Sequence, residues 1–209
     1  MLYKNEKLSK YSWFNLGGPA EVFFKPESID DLKNFLLKFK NKKDKIFILG
    51  AGSNTLFRDA GFDGIIIKLG KAFTETKLIE NNKIEVGAAT LDKKLSDFAY
   101  QNSLSGLEFL SCIPGSIGGA ITMNSGCYDR DISKIFVSLK AINLDGKIKS
   151  FTKDEVRFFY RGNNLNNKLI ILSVILQGEP IDKNQIKKKQ ESLLKRKKET
   201  QPSRIKTCG

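Results

Sequence analysis

The apolar run Ile46-Phe47-Ile48-Leu49 passes directly into Gly50-Ala51-Gly52-Ser53-Asn54, and the next apolar run, Ile65-Ile66-Ile67, begins eleven residues after that loop. This spacing is the tightest constraint on the fold. A strand entering a glycine turn opens the doubly wound βαβ unit, where glycines let backbone N–H groups approach a phosphate without a Cβ in the way. That unit needs a third small residue and a crossover helix of about a dozen residues or more before the next strand. Here Thr55 stands at the third position, and the next strand starts too soon for the helix. A doubly wound unit is excluded. A plain tight turn and a phosphate-wrapping loop, with Ser53 and Asn54 as extra donors, both remain open.

The surrounding patterns read as an α+β chain. Ala20 to Pro26 alternates as a strand closed by proline. Ser28, three residues before Asp31, starts an amphipathic helix with Leu32, Phe35, Leu36 and Phe39 on one face, ending in the basic run Lys38 to Lys45. Ile46 to Leu49 reads as a short buried strand. Lys83 to Gly87 predicts a strand, and Leu91, Leu95, Phe98 and Ala99 predict a helix after Thr90. Asp145-Gly146 between two apolar runs is a hairpin signal, and Thr152 with Glu155 forms a capping box that predicts a short helix. Lys168 to Gln177 is the last apolar strand, followed after Pro180 by a polar, basic helix. Breaks near Gly70 and near Gly178-Glu179-Pro180 divide the chain into two αβ subdomains, 1–70 and 71–180, and a basic appendix, 181–209.

Composition removes several kinds of chemistry. The 209 residues contain no histidine, so a Ser-His-Asp triad and a His-ligated metal are impossible. Cys112, Cys127 and Cys208 are odd in number and lack CxxC spacing, which argues against a disulfide scaffold and a zinc site. No apolar run approaches the ~20 residues of a membrane span, and the N-terminus has no signal-peptide stretch, so a cytoplasmic protein with no membrane or metal partner is expected. The net charge of +13 raises a nucleic-acid reading. Lys183 to Lys206 holds ten Lys or Arg against two Glu, so +8 sits there and 13 − 8 leaves +5 elsewhere. Lysine-biased surfaces are the plainer explanation, and the basic helix has no aromatic residue on which a base could stack.

A second loop changes the weighing of the first. Ile113-Pro114-Gly115-Ser116-Ile117-Gly118-Gly119-Ala120 places three glycines and a serine within a few residues, and Met123-Asn124-Ser125-Gly126 follows. A bulged turn rarely needs so many residues that each cost roughly 0.5–1 kcal/mol relative to Ala in regular structure. Two donor-rich loops in adjacent units suit one extended anionic ligand between them, and a flavin dinucleotide fits that description.

These residues carry a family resemblance. Ile48 to Leu56 with Asp59-Ala60-Gly61-Phe62-Asp63-Gly64, the stretch Gly106-Leu107-Glu108-Phe109-Leu110 through Ala120, Met123 to Gly126, and Ser12 to Ala20 are together similar to the UDP-N-acetylenolpyruvoylglucosamine reductase family. The resemblance runs from about Leu8 to the end of the chain. It implies a vanillyl-alcohol-oxidase/PCMH-type fold with FAD between two αβ subdomains. It also implies cofactor contacts by Gly50, Ala51, Gly52, Ser53, Asn54, Ile113, Pro114, Gly115, Ser116, Gly118, Gly119, Ala120 and Asn124. The implied reaction uses NADPH to reduce the flavin, which then reduces UDP-N-acetylglucosamine enolpyruvate to UDP-N-acetylmuramate for peptidoglycan. A monomer is expected.

Hydride addition to the enolpyruvyl β-carbon leaves enolate-like charge that needs fixed cationic partners and then a proton. Tyr160-Arg161 matches the family's Tyr-Arg motif, which implies that Tyr160 and Arg161 bind substrate and that Arg161 is catalytic. The continuation Gly162-Asn163 is looser than the family pattern. The family's serine or cysteine proton donor follows a Gln-Pro by a few residues. Gln201-Pro202 is present and the sequence runs on only to Thr207-Cys208-Gly209, just short of that donor; Cys208 reads as structural. The short link from Arg161 to Gly178 resembles the family's compact subtype. The expectation is therefore a flavin-binding part lacking its substrate domain. The alternatives are a basic nucleic-acid-binding protein and a flavin-binding remnant without activity.

Overall fold

The computed structural model describes residues 1–39, 41 and 45–202. Its first layer contains β1 (Leu2–Lys7), β2 (Pro19–Phe24), α1 (Ile29–Lys38), β3 (Ile46–Ile48) and β4 (Phe62–Ile67). The sheet order is β1-β2-β4-β3, with β1 antiparallel to β2 and β4 parallel to both β2 and β3. Helix α1 forms where its periodicity places it. Ser28 Oγ accepts from the Asp31 N–H at 3.0 Å, Asp30 and Asp31 sit in the first turn, and Lys38 lies in the last, each favourable for the helix dipole. Its buried Leu32, Phe35 and Leu36 pack on the sheet, with Phe35 stacked on Phe24 at 3.8 Å and on Phe39 at 4.4 Å. Strands β3 and β4 are parallel neighbours, yet no helix lies in residues 49–61 between them. The glycine loop is therefore left open.

The second layer adds β5 (Thr76–Ile79), β6 (Lys83–Gly87), α2 (Asp92–Gln101), β7 (Leu104–Ser105), α3 (Ile117–Thr122), β8 (Gly126–Cys127), β9 (Arg130–Asp131), β10 (Phe136–Ile142), β11 (Ile148–Thr152), β12 (Phe158–Phe159), β13 (Gly162–Asn163), β14 (Ile170–Gln177), β15 (Glu179–Pro180) and α4 (Lys183–Thr200). Its main sheet is antiparallel in the order β11-β10-β14-β6-β5. The β10–β11 turn uses Gly146 at φ +77° and Asn143 Oδ1, which accepts from the N–H groups of Asp145 and Lys147 at 3.0 and 2.9 Å. Ile84, Val86, Val174 and Leu176 of this sheet pack with Leu95 and Ala99 of α2 and Ile117, Ala120 and Ile121 of α3. A second cluster joins the layers, combining Phe24, Ile65 and Ile67 with Ile142, Ile170 and Leu172. That shared core fixes the loops of one layer against those of the other.

Several local expectations are corrected. Strand β3 is not buried: Phe47 is exposed and its neighbours are half-buried, because β3 is an edge strand. Glu155 Oε2 does accept from the Thr152 N–H at 2.9 Å, but no helix follows. Val156 is buried and Phe158 packs edge-on to Phe136 at 5.1 Å, so packing draws the chain into β12. In α2, Leu95, Phe98 and Ala99 pack inward as the periodicity predicts, and only the first position of that face differs. Leu91 is the exposed N-cap and Asp92 turns inward, its N–H bonded to the Gly115 carbonyl at 3.1 Å. Part of the glycine-rich stretch is helical, since Gly118 and Gly119 lie within α3.

Helix α4 is polar around most of its circumference and is held by specific contacts. Ile186 is buried, Lys189 pairs with buried Glu108 at 3.3 Å, Gln190 donates to Ser96 Oγ at 2.8 Å, and Lys197 donates to the Cys112 carbonyl at 2.7 Å. Burial works to raise the Glu108 pKa, but hydrogen bonds from Ser105 and the Gly106 N–H, with the charge of Lys189, outweigh it and hold the carboxyl below its ordinary value. Among the described residues, no helix is long and apolar enough to cross a membrane. Cys112 and Cys127 are free thiols; Cys208 and the last cations of the basic tail lie outside the described residues.

Candidate functional site

The two glycine-rich loops meet. A methyl group placed on Gly50 would lie 2.8 Å from Ser116 Oγ, 3.9 Å from Gly119 Cα and 4.0 Å from Gly119 N. Only a glycine at position 50 leaves the Ser116 hydroxyl undisturbed. The first loop is clamped from behind by the N-terminal segment. The Trp13 N–H donates to the Gly52 carbonyl at 3.0 Å, and a side chain at Gly52, whose φ is +79°, would overlap the Tyr11 carbonyl. Lys68, at the end of β4, donates to the Gly50 carbonyl, and burial together with the nearby charge of Lys25 lowers its pKa. Among the described residues, no protein group accepts from the N–H of Gly50, Ala51, Gly52, Ser53 or Asn54. A run of backbone donors beside a buried lysine is chemistry suited to a phosphate.

The second loop is built differently. The N–H groups of Ile117 and Gly118 are already bonded, to the carbonyls of Thr90 and Ala88 at 2.9 and 2.8 Å. What faces Gly50 is Ser116 Oγ and the Gly119 backbone. Ile113 is half-buried and Pro114 exposed, while the Ala120 side chain points into the core of the second layer. Gly118 is restricted by packing, since a methyl there would stand 3.2 Å from Ala88 Cβ. Beneath Gly115 lies Asp92, fully buried, with neither carboxyl oxygen hydrogen-bonded; burial pushes its pKa up to about 8.

At the other end of α3 stands the hairpin bearing Tyr160 and Arg161. Tyr160 is 86% exposed, and the Arg161 guanidinium carbon lies 5.2 Å from its ring centroid. Arg161 takes φ +58°, a left-handed conformation unusual for a side chain of this size. Two asparagines clamp the hairpin. Asn124 Nδ2 donates to the Phe159 carbonyl at 3.1 Å, and Asn163 Nδ2 donates to the Ile121 carbonyl at 2.9 Å. Asn124 Oδ1 also accepts from the Ser133 N–H at 3.1 Å, so its side chain is engaged on both sides. One six-residue helix thus connects the Ser116 loop with the arginine hairpin. Sequence reasoning missed Lys68, Asp92 and Asn163. Lys68 directly follows the Ile65-Ile66-Ile67 run and could have been noticed as a cation at a strand end; Asp92 was hidden in a helix start.

Comparisons with known proteins agree with this geometry. A family described as an FAD binding domain matches residues 20–152. The UDP-N-acetylenolpyruvoylglucosamine reductase of Pelagibacter ubique is 46% identical over 97% of the chain, which spans 67% of that relative. The chain belongs to the UDP-N-acetylenolpyruvoylglucosamine reductase family. The same-named protein of Rickettsia rickettsii is 41% identical over 99% of the chain and 69% of its own length. Among solved structures, the family's Thermus caldophilus reductase superposes with a TM-score of 0.85 at 28% identity, covering all of this chain and 74% of that one. Cholesterol oxidase from Brevibacterium sterolicum, at 13% identity over 86% of this chain and 38% of its own, has a TM-score of 0.63 and shares the fold alone. The fold is thus the vanillyl-alcohol-oxidase/PCMH type, with mixed sheet and helix layers.

The residues present fit the FAD that this family implies. Gly50 supplies a cradle that a Cβ would fill, the adjacent N–H groups lack protein acceptors among the described residues, and Lys68 supplies a cation.

Proposed function

We propose that the chain is the FAD-binding part of a flavoenzyme that reduces UDP-N-acetylglucosamine enolpyruvate to UDP-N-acetylmuramate at the expense of NADPH. The observation that carries this reading is the approach of Gly50 to Ser116 and Gly119 across the two layers. Bound FAD supplies the hydride relay between NADPH and the enolpyruvyl group. The residues assigned to the flavin site are Gly50, Ala51, Gly52, Ser53, Asn54, Ile113, Pro114, Gly115, Ser116, Gly118, Gly119 and Ala120. Within that set the Gly50–Asn54 N–H groups and the Ser116 hydroxyl bind the diphosphate and Ala120 contributes by packing, while Lys68, outside the set, balances the charge.

Arg161 is assigned to the anionic part of the substrate, where a guanidinium stabilises developing enolate charge, with Tyr160 beside it. Asn124 and Asn163 hold the hairpin backbone that carries Arg161. Holding a left-handed arginine costs about 1–3 kcal/mol, which two side-chain clamps offset. On this reading the protein is a cytoplasmic monomer. Its basic helix serves the fold rather than nucleic acid: Lys189 and Lys197 bind Glu108 and the Cys112 carbonyl, and Arg196 stacks on Tyr128 at 4.8 Å. The test is to purify the chain with FAD, record its visible spectrum, and measure flavin reduction by NADPH and turnover of the enolpyruvyl substrate. A flavin spectrum with NADPH-dependent bleaching supports the reading; a colourless protein that binds oligonucleotides with steep salt dependence contradicts it.

A further inference from the structure

Asp92 is the one buried side chain among the described residues whose polar atoms find no partner. It opens α2, and its own N–H is bonded to the Gly115 carbonyl at 3.1 Å. Its carboxyl fills the space where a Gly115 side chain would project: a methyl on Gly115 would overlap Oδ2 and stand 3.4 Å from Cγ. Gly115 precedes Ser116, whose hydroxyl faces Gly50. The carboxyl thus lies directly behind the turn that presents Ser116 to Gly50.

We infer that Asp92 is a positioning residue of the flavin site, which as a neutral acid under Gly115 holds the Ile113–Ser116 turn against Gly50 and on ionising lets that turn move away and the cofactor leave. This rests on the flavin reading above. An anionic carboxylate cannot stay in a dry space without a counter-charge or donors. None is at hand. The covering segments, Ala88 to Leu91 and Ile113 to Ser116, contain no ionisable side chain, and Lys93 and Lys94 beside it on α2 are exposed. On α4, Lys197 is engaged by the Cys112 carbonyl. Burial puts the carboxyl near pKa 8, inside a range where the loop would respond. The other titrating group at the site is Lys68, on the far loop, where it is bonded to the Gly50 carbonyl.

The test is FAD affinity from quenching of flavin fluorescence at pH 7 and pH 9, for the natural chain, Asp92→Asn and Asp92→Ser. With binding confined to the protonated form, the natural chain loses about tenfold in affinity between those pH values. Asp92→Asn, which keeps the size of the carboxyl, retains the pH 7 affinity within about threefold and loses that tenfold change; Asp92→Ser, which empties the space under Gly115, loses the pH dependence as well. Circular dichroism and melting of each apo protein confirm that the variants fold, and the Ser variant stands in if the Asn variant does not. The inference is overturned if the variants titrate like the natural chain, or if folded Asp92→Asn binds FAD more than tenfold weaker at pH 7. A natural chain with no FAD affinity at either pH overturns the flavin reading itself, a different outcome from an unchanged pH profile.

Discussion

Replacing Gly115 by alanine separates two reasons for a glycine beside a phosphate loop. Gly115 lies outside the left-handed region, so alanine meets no backbone strain there and should stabilise by about 0.4–1 kcal/mol through the unfolded chain. Against this, the new methyl overlaps Asp92 Oδ2, and forced overpacking costs about 1–3 kcal/mol. Gly115→Ala alone should therefore destabilise by about 1–2 kcal/mol. In an Asp92→Ala background the obstructing carboxyl is gone, and the same change should be neutral or stabilising by up to about 1 kcal/mol. The coupling between the two positions is then about 1–3 kcal/mol, well above the error of a double-mutant cycle. The assay is urea unfolding of the four apo proteins at pH 7, read from the midpoint at constant slope. Equal penalties for Gly115→Ala in both backgrounds would refute the idea that Asp92 is what demands the glycine.

Other consequences are equally direct. The Asp92 carboxyl, raised from 3.8 to about 8 by burial, keeps a proton in the folded chain that the unfolded chain has released; its contribution is complete below pH 3.8 and is lost as the pH climbs to about 8. Relative to Asp92→Asn, the natural chain should therefore lose about 1.4 kcal/mol of stability per pH unit across that window, seen as urea midpoints that diverge between pH 5 and pH 8; parallel midpoints would count against the buried acid. Gly52→Ala, at φ +79° and against the Tyr11 carbonyl, should destabilise by about 2–5 kcal/mol in the same assay. Gly50→Ala meets only the end of the Ser116 side chain, so its melting temperature should change little while FAD affinity falls at least about tenfold by fluorescence titration. Arg161→Gly relieves a left-handed arginine and should be neutral or stabilising by up to about 1 kcal/mol, yet lose the substrate's anionic contact; a clear loss of stability would show that the hairpin depends on the arginine.

Local rules carried far where one interaction decides the outcome. Ser28 and Asp31 announce α1, Asp145-Gly146 announces the β10–β11 turn, and both form as read. They fail where distant residues compete. The Thr152–Glu155 hydrogen bond forms, but burial of Val156 and the edge-on packing of half-buried Phe158 on Phe136 draw the chain into a strand instead of a helix. Periodicity gave α2 an apolar face through Leu91 and could not reveal Asp92, because a buried carboxyl is visible only once Gly115 is known to lie over it. The candidate site shows the same division. Both glycine loops and the Tyr160-Arg161 pair are evident as motifs. Their joining by α3, and the engagement of Asn124 by Phe159 and Ser133, arise from contacts between residues far apart in sequence.

The central claim is that the paired loops bind the diphosphate of a flavin dinucleotide. Titrating the purified chain with FAD and, separately, with FMN tests it most directly, since FMN carries the same isoalloxazine ring but one terminal phosphate. The account predicts one FAD per chain, FMN bound at least about a hundredfold more weakly, and a difference that largely disappears in Gly50→Val, whose side chain would occupy the space before Ser116. Equal affinity for FAD and FMN, or FAD binding unaffected by Gly50→Val, would contradict it.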